Sequence, residues 1–191
     1  MPIILPNNTL REIPSIIFSE LRKVVSRKKH PFKNVVLTTV KEQIPHSRWV
    51  VFRKLTLEQN FLVYTDGRSE KIKNLRKNPN CGLLFYNNRQ GLQIHFSAVS
   101  TIHQENELTK KYWQGIVGKS SENYTTVYPP GLPINSIDKG HKTDKDLNDK
   151  HFSIIEFRPV NMKMLQLSRD GHIRANFVKI NNDWEGSFIV P

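Results

Sequence analysis

Arg48, Arg53, Arg68, Ser69 and Lys71 stand within a window of 24 residues. Together they offer planar guanidinium forks, an ammonium, a hydroxyl and, if Ser69 opens a helix, the free amides of its first turn. That is the donor set that holds a phosphate. The stretch Arg48, Trp49, Val50, Val51, Phe52, Arg53 reads as a strand. A regular strand puts Arg48, Val50 and Phe52 on one face and Trp49, Val51 and Arg53 on the other. The two arginines then diverge unless a bulge re-aims one of them. Residue types alone leave a phosphate site and a plain solvated edge both open.

The elements that must position these groups follow from hydrophobic period and turn residues. Residues 14–29 read as a helix, with Ile17, Leu21, Val24 and Lys28 on one stripe and Pro31 closing it. Strands are expected at 34–40, 47–55 and 60–65, the third ended by the turn Asp66, Gly67. Ser69 is placed as the N-cap of a helix that runs through Lys77 and stops before Asn78 and Pro79. Further strands are expected at 81–86, 92–102, 152–157, 162–167, 172–180 and 184–190, with a helix at 105–116. Residues 118–150 show neither period and read as a long loop or insertion, a length at which loops tend to be functional. Many strands and few helices exclude a doubly wound sheet and point to a mainly β, α+β architecture: an antiparallel barrel with peripheral helices.

The 191 residues suit one domain spanning 1–191. Charged residues at 24% and hydrophobics at 37% are those of a soluble chain, and no apolar run has the length of a spanning helix. The N-terminus is too short and Pro-broken for a signal peptide, so a cytoplasmic location is expected. The single cysteine, Cys81, excludes an intrachain disulfide and a multi-cysteine zinc site, and His95 and His103 have no partner at metal-ligand spacing; no metal is expected. The net charge of +12 is the unusual value. Residues 1–54 hold 11 Lys/Arg against 3 Asp/Glu. A solvated basic face accounts for this as readily as an anionic partner does.

The order and spacing of these motifs resemble those of the FMN-binding split barrel of the pyridoxamine 5'-phosphate oxidase family. An Arg-x-Val-x-x-Lys strand of that family is matched by Arg48 to Arg53, with Arg in the last place. Its Tyr-Thr strand end is matched by Tyr64 and Thr65. Its Ser-Arg-Lys helix start is similar to Ser69, Glu70, Lys71, with Arg68 just before. Asn78 and Pro79 match the dipeptide after that helix. Gln93 falls in the register of a glutamine that bonds the flavin of the neighbouring subunit, with Gln90 as a weaker candidate. His172, Arg174, Trp184 and Pro191 resemble the family's C-terminus.

The resemblance implies a split β-barrel that binds FMN at the seam of a homodimer. The implied flavin contacts are Arg48, Val50, Val51, Arg53, Tyr64, Thr65, Arg68, Ser69, Lys71, Gln93 and Arg174. The implied substrate side is Arg53, Tyr112, Ser120 and His172. Two departures stand out: the family's phosphate-gripping helix arginine is Ile116 here, and a substrate-side arginine is Asp170. An FMN-dependent oxidoreductase with a substrate other than pyridoxamine phosphate is therefore the leading expectation. A flavin carrier or sensor without turnover, and a basic barrel that binds nucleic acid or anionic surfaces, are the alternatives. The sequence singles out no catalytic acid–base pair. The 118–150 stretch is expected to shape substrate choice.

Overall fold

Alternation of apolar and polar residues builds the framework, and it is regular in strand β1, Asn34–Lys41, where Val35, Leu37 and Thr39 face inward. The structure, a computed structural model, describes residues 1–27, 29–118, 120–143 and 148–191. Helix α1 (Glu12–Ser26) precedes β1, and β2 (Ile44–Leu55), β3 (Phe61–Asp66), α2 (Glu70–Lys77), β4 (Asn80–Asn87), β5 (Leu92–Gln104) and α3 (Glu107–Gln114) follow it. A short helical turn α4 (Ile137–Gly140) precedes β6 (Phe152–Gln166), β7 (Ile173–Ile180) and β8 (Asp183–Phe188).

All strand pairs are antiparallel, in the order β3-β2-β1-β4-β5-β6-β7-β8, and β3 pairs again with β6. Six strands thus close a barrel, and β7 and β8 extend its wall. Closure removes the open edges that a flat sheet would expose. The expected strands 152–157 and 162–167 are one strand. Its first half closes the barrel on β3, and its second half carries β7. Between them Pro159 pairs with Ala98 and Asn161 with Ser97, so Val160 is the extra residue of a bulge. Proline donates no N–H and is tolerated at such a site, while the bulge resets which residues face inward.

Nine of the ten phenylalanines are fully buried, so the barrel is filled by aromatic packing. Phe61 is its centre, with ring centroids 4.8 Å from Phe96 and 5.6 Å from both Phe52 and Phe85. Helix α1 lays Ile13, Ile17, Phe18, Leu21 and Val24 on this core, with Phe18 near-parallel to Phe61 at 6.4 Å. The helix begins earlier than 14 because the Glu12 carboxylate accepts the Thr9 N–H at 2.9 Å while the Thr9 carbonyl accepts the Glu12 and Ile13 amides. Lys28, expected on the same stripe, lies outside the described residues.

A second apolar cluster sits outside the barrel wall, where α3 lies over β6. Leu62, Trp113, Tyr124, Phe152 and Ile154 form it. Tyr124 belongs to the 118–150 stretch, which is more ordered than its lack of period implies. A 3-10 turn spans Ser121–Tyr124, and Thr126 forms an isolated antiparallel bridge with Thr143. Lys119 and residues 144–147 of that stretch lie outside the described residues.

Candidate functional site

Three of the expected phosphate ligands, Arg48, Ser69 and Lys71, come together with Thr65 where α2 starts beside β1, β2 and β3. Arg48 is half-buried, and its Nη1 donates to Thr39 Oγ1 at 2.6 Å. Asn74, buried on α2, donates to the same oxygen at 3.2 Å. Lys71 Nζ donates to Thr65 Oγ1 at 2.9 Å, and Thr65 Oγ1 lies 3.4 Å from Ser69 Oγ. Ser69 is the N-cap, yet its side chain makes no capping hydrogen bond. An N-cap serine ordinarily turns its hydroxyl to the helix amides; here it points into the cradle.

The electrostatics mark this cradle as cationic. Burial, and then the neighbouring Arg48 guanidinium, lower the Lys71 pKa, with Asp66 pulling the other way. Burial also lowers the pKa of Arg48, opposed by Glu70. Two half-buried like charges are thus held side by side. Glu70 is exposed and pairs with Lys41 at 3.2 Å. Asp66 is 3% exposed and pairs with Arg68 at 2.7 Å. Arg68 itself reaches away from the cradle, to the carbonyls of Thr126 at 2.7 Å and Val127 at 3.2 Å. Val50 lines the barrel interior beside Phe52, and Val51 lies half-buried on the opposite face of β2.

Arg53 is placed by a bulge: Phe52 pairs with Val63 and Lys54 with Leu62, leaving Arg53 as the extra residue. Its guanidinium lies 5.7 Å from the Tyr64 ring centroid, and Nη2 is 3.5 Å from the Tyr124 hydroxyl. Its Nε is buried without a partner. Tyr112 of α3 joins this group, with its ring 5.7 Å from Tyr64 and Lys54 Nζ 5.1 Å from its centroid. Burial raises the Tyr64 phenol well above its usual value, and Tyr112 adds to the rise. Ile116 packs with the second apolar cluster. Ser120 is half-buried after α3, and its carbonyl accepts from Asn123 Nδ2 at 3.1 Å.

Gln93 and Arg174 form a third group. Both pair with Leu165 of β6, so all three share one row on the outer face, where Gln93 and Arg174 are exposed. Tyr86 of β4 extends the row. The row runs across β4 to β7, whereas the cradle is built on β1, β2, β3 and α2. Gln90 is engaged elsewhere, accepting from Asn87 at 2.7 Å and donating to the Met1 carbonyl at 3.2 Å. His172 is exposed, and its Nδ1 accepts the Ser168 N–H at 3.2 Å. Asp170 is exposed in the same turn.

A family model described as pyridoxamine 5'-phosphate oxidase matches residues 23–164. The chain belongs to the pyridoxamine 5'-phosphate oxidase family. Its fold is that of two solved structures in particular. A pyridoxamine 5'-phosphate oxidase-related, FMN-binding protein from Nostoc punctiforme has a TM-score of 0.77 at 18% identity, over 96% of this chain and 100% of its own. PhzG from Burkholderia lata, in complex with tetrahydrophenazine-1-carboxylic acid, has a TM-score of 0.76 at 18% identity, over 99% and 98%. A putative pyridoxamine 5'-phosphate oxidase from Listeria innocua follows at 0.53 and 16% identity, over 80% and 98%. A search of curated proteins gives no match.

Three side chains of these groups escape a reading by residue type: Thr39, Asn74 and Asp66; Tyr124 belongs to the 118–150 stretch expected to shape substrate choice. Thr39 carried one signal, as a polar residue ending the inward series Val35, Leu37, Thr39. Asn74 is likewise a buried polar position on α2, between the apolar Ile72 and Leu75.

Proposed function

We propose that this protein binds FMN and acts as an oxidoreductase of the pyridoxamine 5'-phosphate oxidase type, on a substrate other than pyridoxamine phosphate. The observation that carries the reading is the cradle: Arg48 and Lys71 side by side, with Ser69 and Thr65 hydroxyls and, among the described residues, no carboxylate ion-paired with either cation. That donor set fits a phosphomonoester. Lys71 keeps two N–H groups beyond its bond to Thr65, and Arg48 keeps four beyond its bond to Thr39.

When bound, FMN supplies the two-electron chemistry of its ring system. The chain's own residues hold and orient it. Arg48 and Lys71 neutralise the phosphate, and Ser69 Oγ and Thr65 Oγ1 fix its rotation. Gln93 and Arg174 lie on β5 and β7 rather than on the elements that build the cradle, and the family's members are typically dimeric. We assign them to the flavin of the partner subunit, where an amide and a guanidinium suit a ring edge of alternating donors and acceptors. Their exposed row, continuous with Tyr86 and Leu165, supplies the matching surface.

The substrate side is built from Arg53 and the rings of Tyr64, Tyr112 and Tyr124. Arg53 retains a buried Nε–H with no partner, and the tyrosines offer flat faces and hydroxyls. A flat ring bearing an anionic group fits this set, whereas Ile116 leaves the family's phosphate clamp one cation short. PhzG, a neighbour in fold, holds a ligand of that kind, tetrahydrophenazine-1-carboxylic acid. The test is a visible absorbance spectrum of purified protein, with added FMN and after dialysis. Flavin bands that survive dialysis in the wild type and are lost in Arg48→Ala and Lys71→Ala are the expected result; a folded wild type that never retains FMN refutes the reading.

A further inference from the structure

The turn Asp66, Gly67, Arg68 lies between β3 and the start of α2, and both limbs of the long excursion after α3 are fastened to it. On the outgoing limb, Arg68 donates from Nη2 to the Thr126 carbonyl at 2.7 Å and from Nη1 to the Val127 carbonyl at 3.2 Å. The Thr126 hydroxyl lies 3.3 Å from the same Nη2. On the returning limb, the Gly67 N–H donates to the His151 carbonyl at 2.8 Å. A Cβ at Gly67 would stand 2.5 Å from Ser153 Oγ, so a larger residue there would have to displace the side chains of the returning strand.

The guanidinium is held in place for this task. Its Nε donates to Asp66 Oδ1 at 3.1 Å, its Nη2 to Oδ2 at 2.7 Å, and the Arg68 backbone N–H donates to Oδ1 at 2.8 Å. Of the five N–H donors of the fork, the bonds to Asp66, Thr126 and Val127 employ four. One is left for any anion in the cradle, and the Arg68 charge is already balanced by the buried Asp66.

Between the two fastened limbs sits Tyr124. Its ring packs against Phe152 at 5.2 Å, and its hydroxyl is 3.5 Å from Arg53 Nη2. The four residues from Tyr124 to Val127 therefore run from the substrate-side arginine to the arginine before the cofactor helix. We infer that Arg68 is a positioning residue: it anchors this segment to the start of α2 and so holds Tyr124 against Arg53, rather than serving as a phosphate ligand. A planar fork is required, because a lysine ammonium cannot reach a carboxylate and two carbonyls in one plane. The inference rests on the flavin reading only for what the segment borders; the anchoring belongs to the chain itself.

The experiment is amide hydrogen exchange of residues 121–128 in the flavin-free protein, comparing wild type with Arg68→Lys and with the double variant Asp66→Asn/Arg68→Gln. The double variant removes both partners, so no buried carboxylate is left unpaired and folding is kept. Exchange in 121–128 should rise about tenfold or more in both variants while β4 and β5 are unchanged, since local opening reports local anchoring. Wild-type exchange in either folded variant overturns the inference. FMN titration supplies the second arm. Affinity in the double variant within a few-fold of wild type supports anchoring, and a loss of about tenfold or more makes Arg68 a phosphate ligand and overturns it. A wild type that takes no FMN defeats the cofactor reading and leaves the exchange arm to decide.

Discussion

Replacing Lys71 by methionine should weaken FMN binding and, at the same time, stabilise the flavin-free protein. The first effect follows from the donors that Lys71 keeps in hand. One N–H is spent on Thr65 at 2.9 Å, and the other two, with the full charge, face the cradle. A hydrogen bond made by a charged group is worth about 1.5–3 kcal/mol net. Its loss should therefore raise the Kd for FMN by about 10- to 150-fold. The second effect follows from what the lysine does when no anion is present. Burial and the adjacent Arg48 both disfavour its charged form, and Asp66, which favours it, is tied up by Arg68. Methionine keeps the stem and removes the charge, while Thr65 can take a hydroxyl donor from Ser69 at 3.4 Å. A gain of about 1 kcal/mol would raise Tm by about 2–4 °C in a chain of this size.

The gain also has a pH dependence with a definite sign. The folded-state pKa of Lys71 lies below its ordinary value of 10.5. Between those two values the unfolded chain binds more protons than the folded one, so wild-type stability rises with pH there. The advantage of Lys71→Met should thus be full below the folded pKa and shrink as pH climbs toward the ordinary value. Flavin fluorescence titration and calorimetry of the flavin-free protein measure both effects. An FMN affinity within twofold of wild type, or a Tm that falls by several degrees in the variant, refutes the reasoning.

Gly67→Ala should lower stability by about 1–3 kcal/mol, as overpacking does, because its Cβ would stand 2.5 Å from Ser153 Oγ and 3.1 Å from Gln104 Nε2; an unchanged Tm would mean that the turn is slack. If the flavin site draws its cradle from one subunit and its Gln93–Arg174 row from the other, Lys71→Met and Arg174→Ala should each abolish flavin retention as homodimers. Mixed after denaturation and refolding, they should recover it in the heterodimer, which has one intact site; no recovery in a verified heterodimer would place both sets in a single-subunit site.

How much of this was legible in the chain depended on whether a residue's partner lay nearby in sequence. Inward alternation revealed β1, and the strands read at 172–180 and 184–190 are those that Asn181 and Asn182, both at positive φ, join as the last hairpin. The first hairpin was legible as strands at 34–40 and 47–55, although its turn residues Glu42 and Gln43, also at positive φ, are not usual turn formers. The strands read at 152–157 and 162–167 are one because Pro159, whose lost N–H matters in a regular ladder, sits beside a bulge. The cations of the cradle were legible by type, since few other arrangements gather them so closely. Thr39 and Asn74 were not, because their role depends on β1 lying against β2 so that Leu37 pairs with Arg48, and on α2 packing against β1. For Arg68 the sequence supplied the charge but not the direction. That is set by carbonyls 58 and 59 residues further along the chain.

The direction of Arg68 decides the charge of the cradle. Two carboxylates flank the start of α2, and either could cancel a cation there. Glu70 is turned outward to Lys41, and Asp66 is buried under Arg68. Each acid is thereby matched by a cation that is not part of the cradle, which leaves Arg48 and Lys71 as two positive charges with no ion pair among the described residues. A phosphomonoester carries between about −1.5 and −2 near neutral pH, so its charge nearly equals theirs. Had Arg68 pointed into the cradle, three cations would face that dianion, and Asp66 would be a buried charge without a partner, a loss of about 3–5 kcal/mol. The pairing of Asp66 with Arg68 thus serves two ends from one ion pair: it removes an acid from the anion site, and it frees the fork to reach the segment that carries Tyr124.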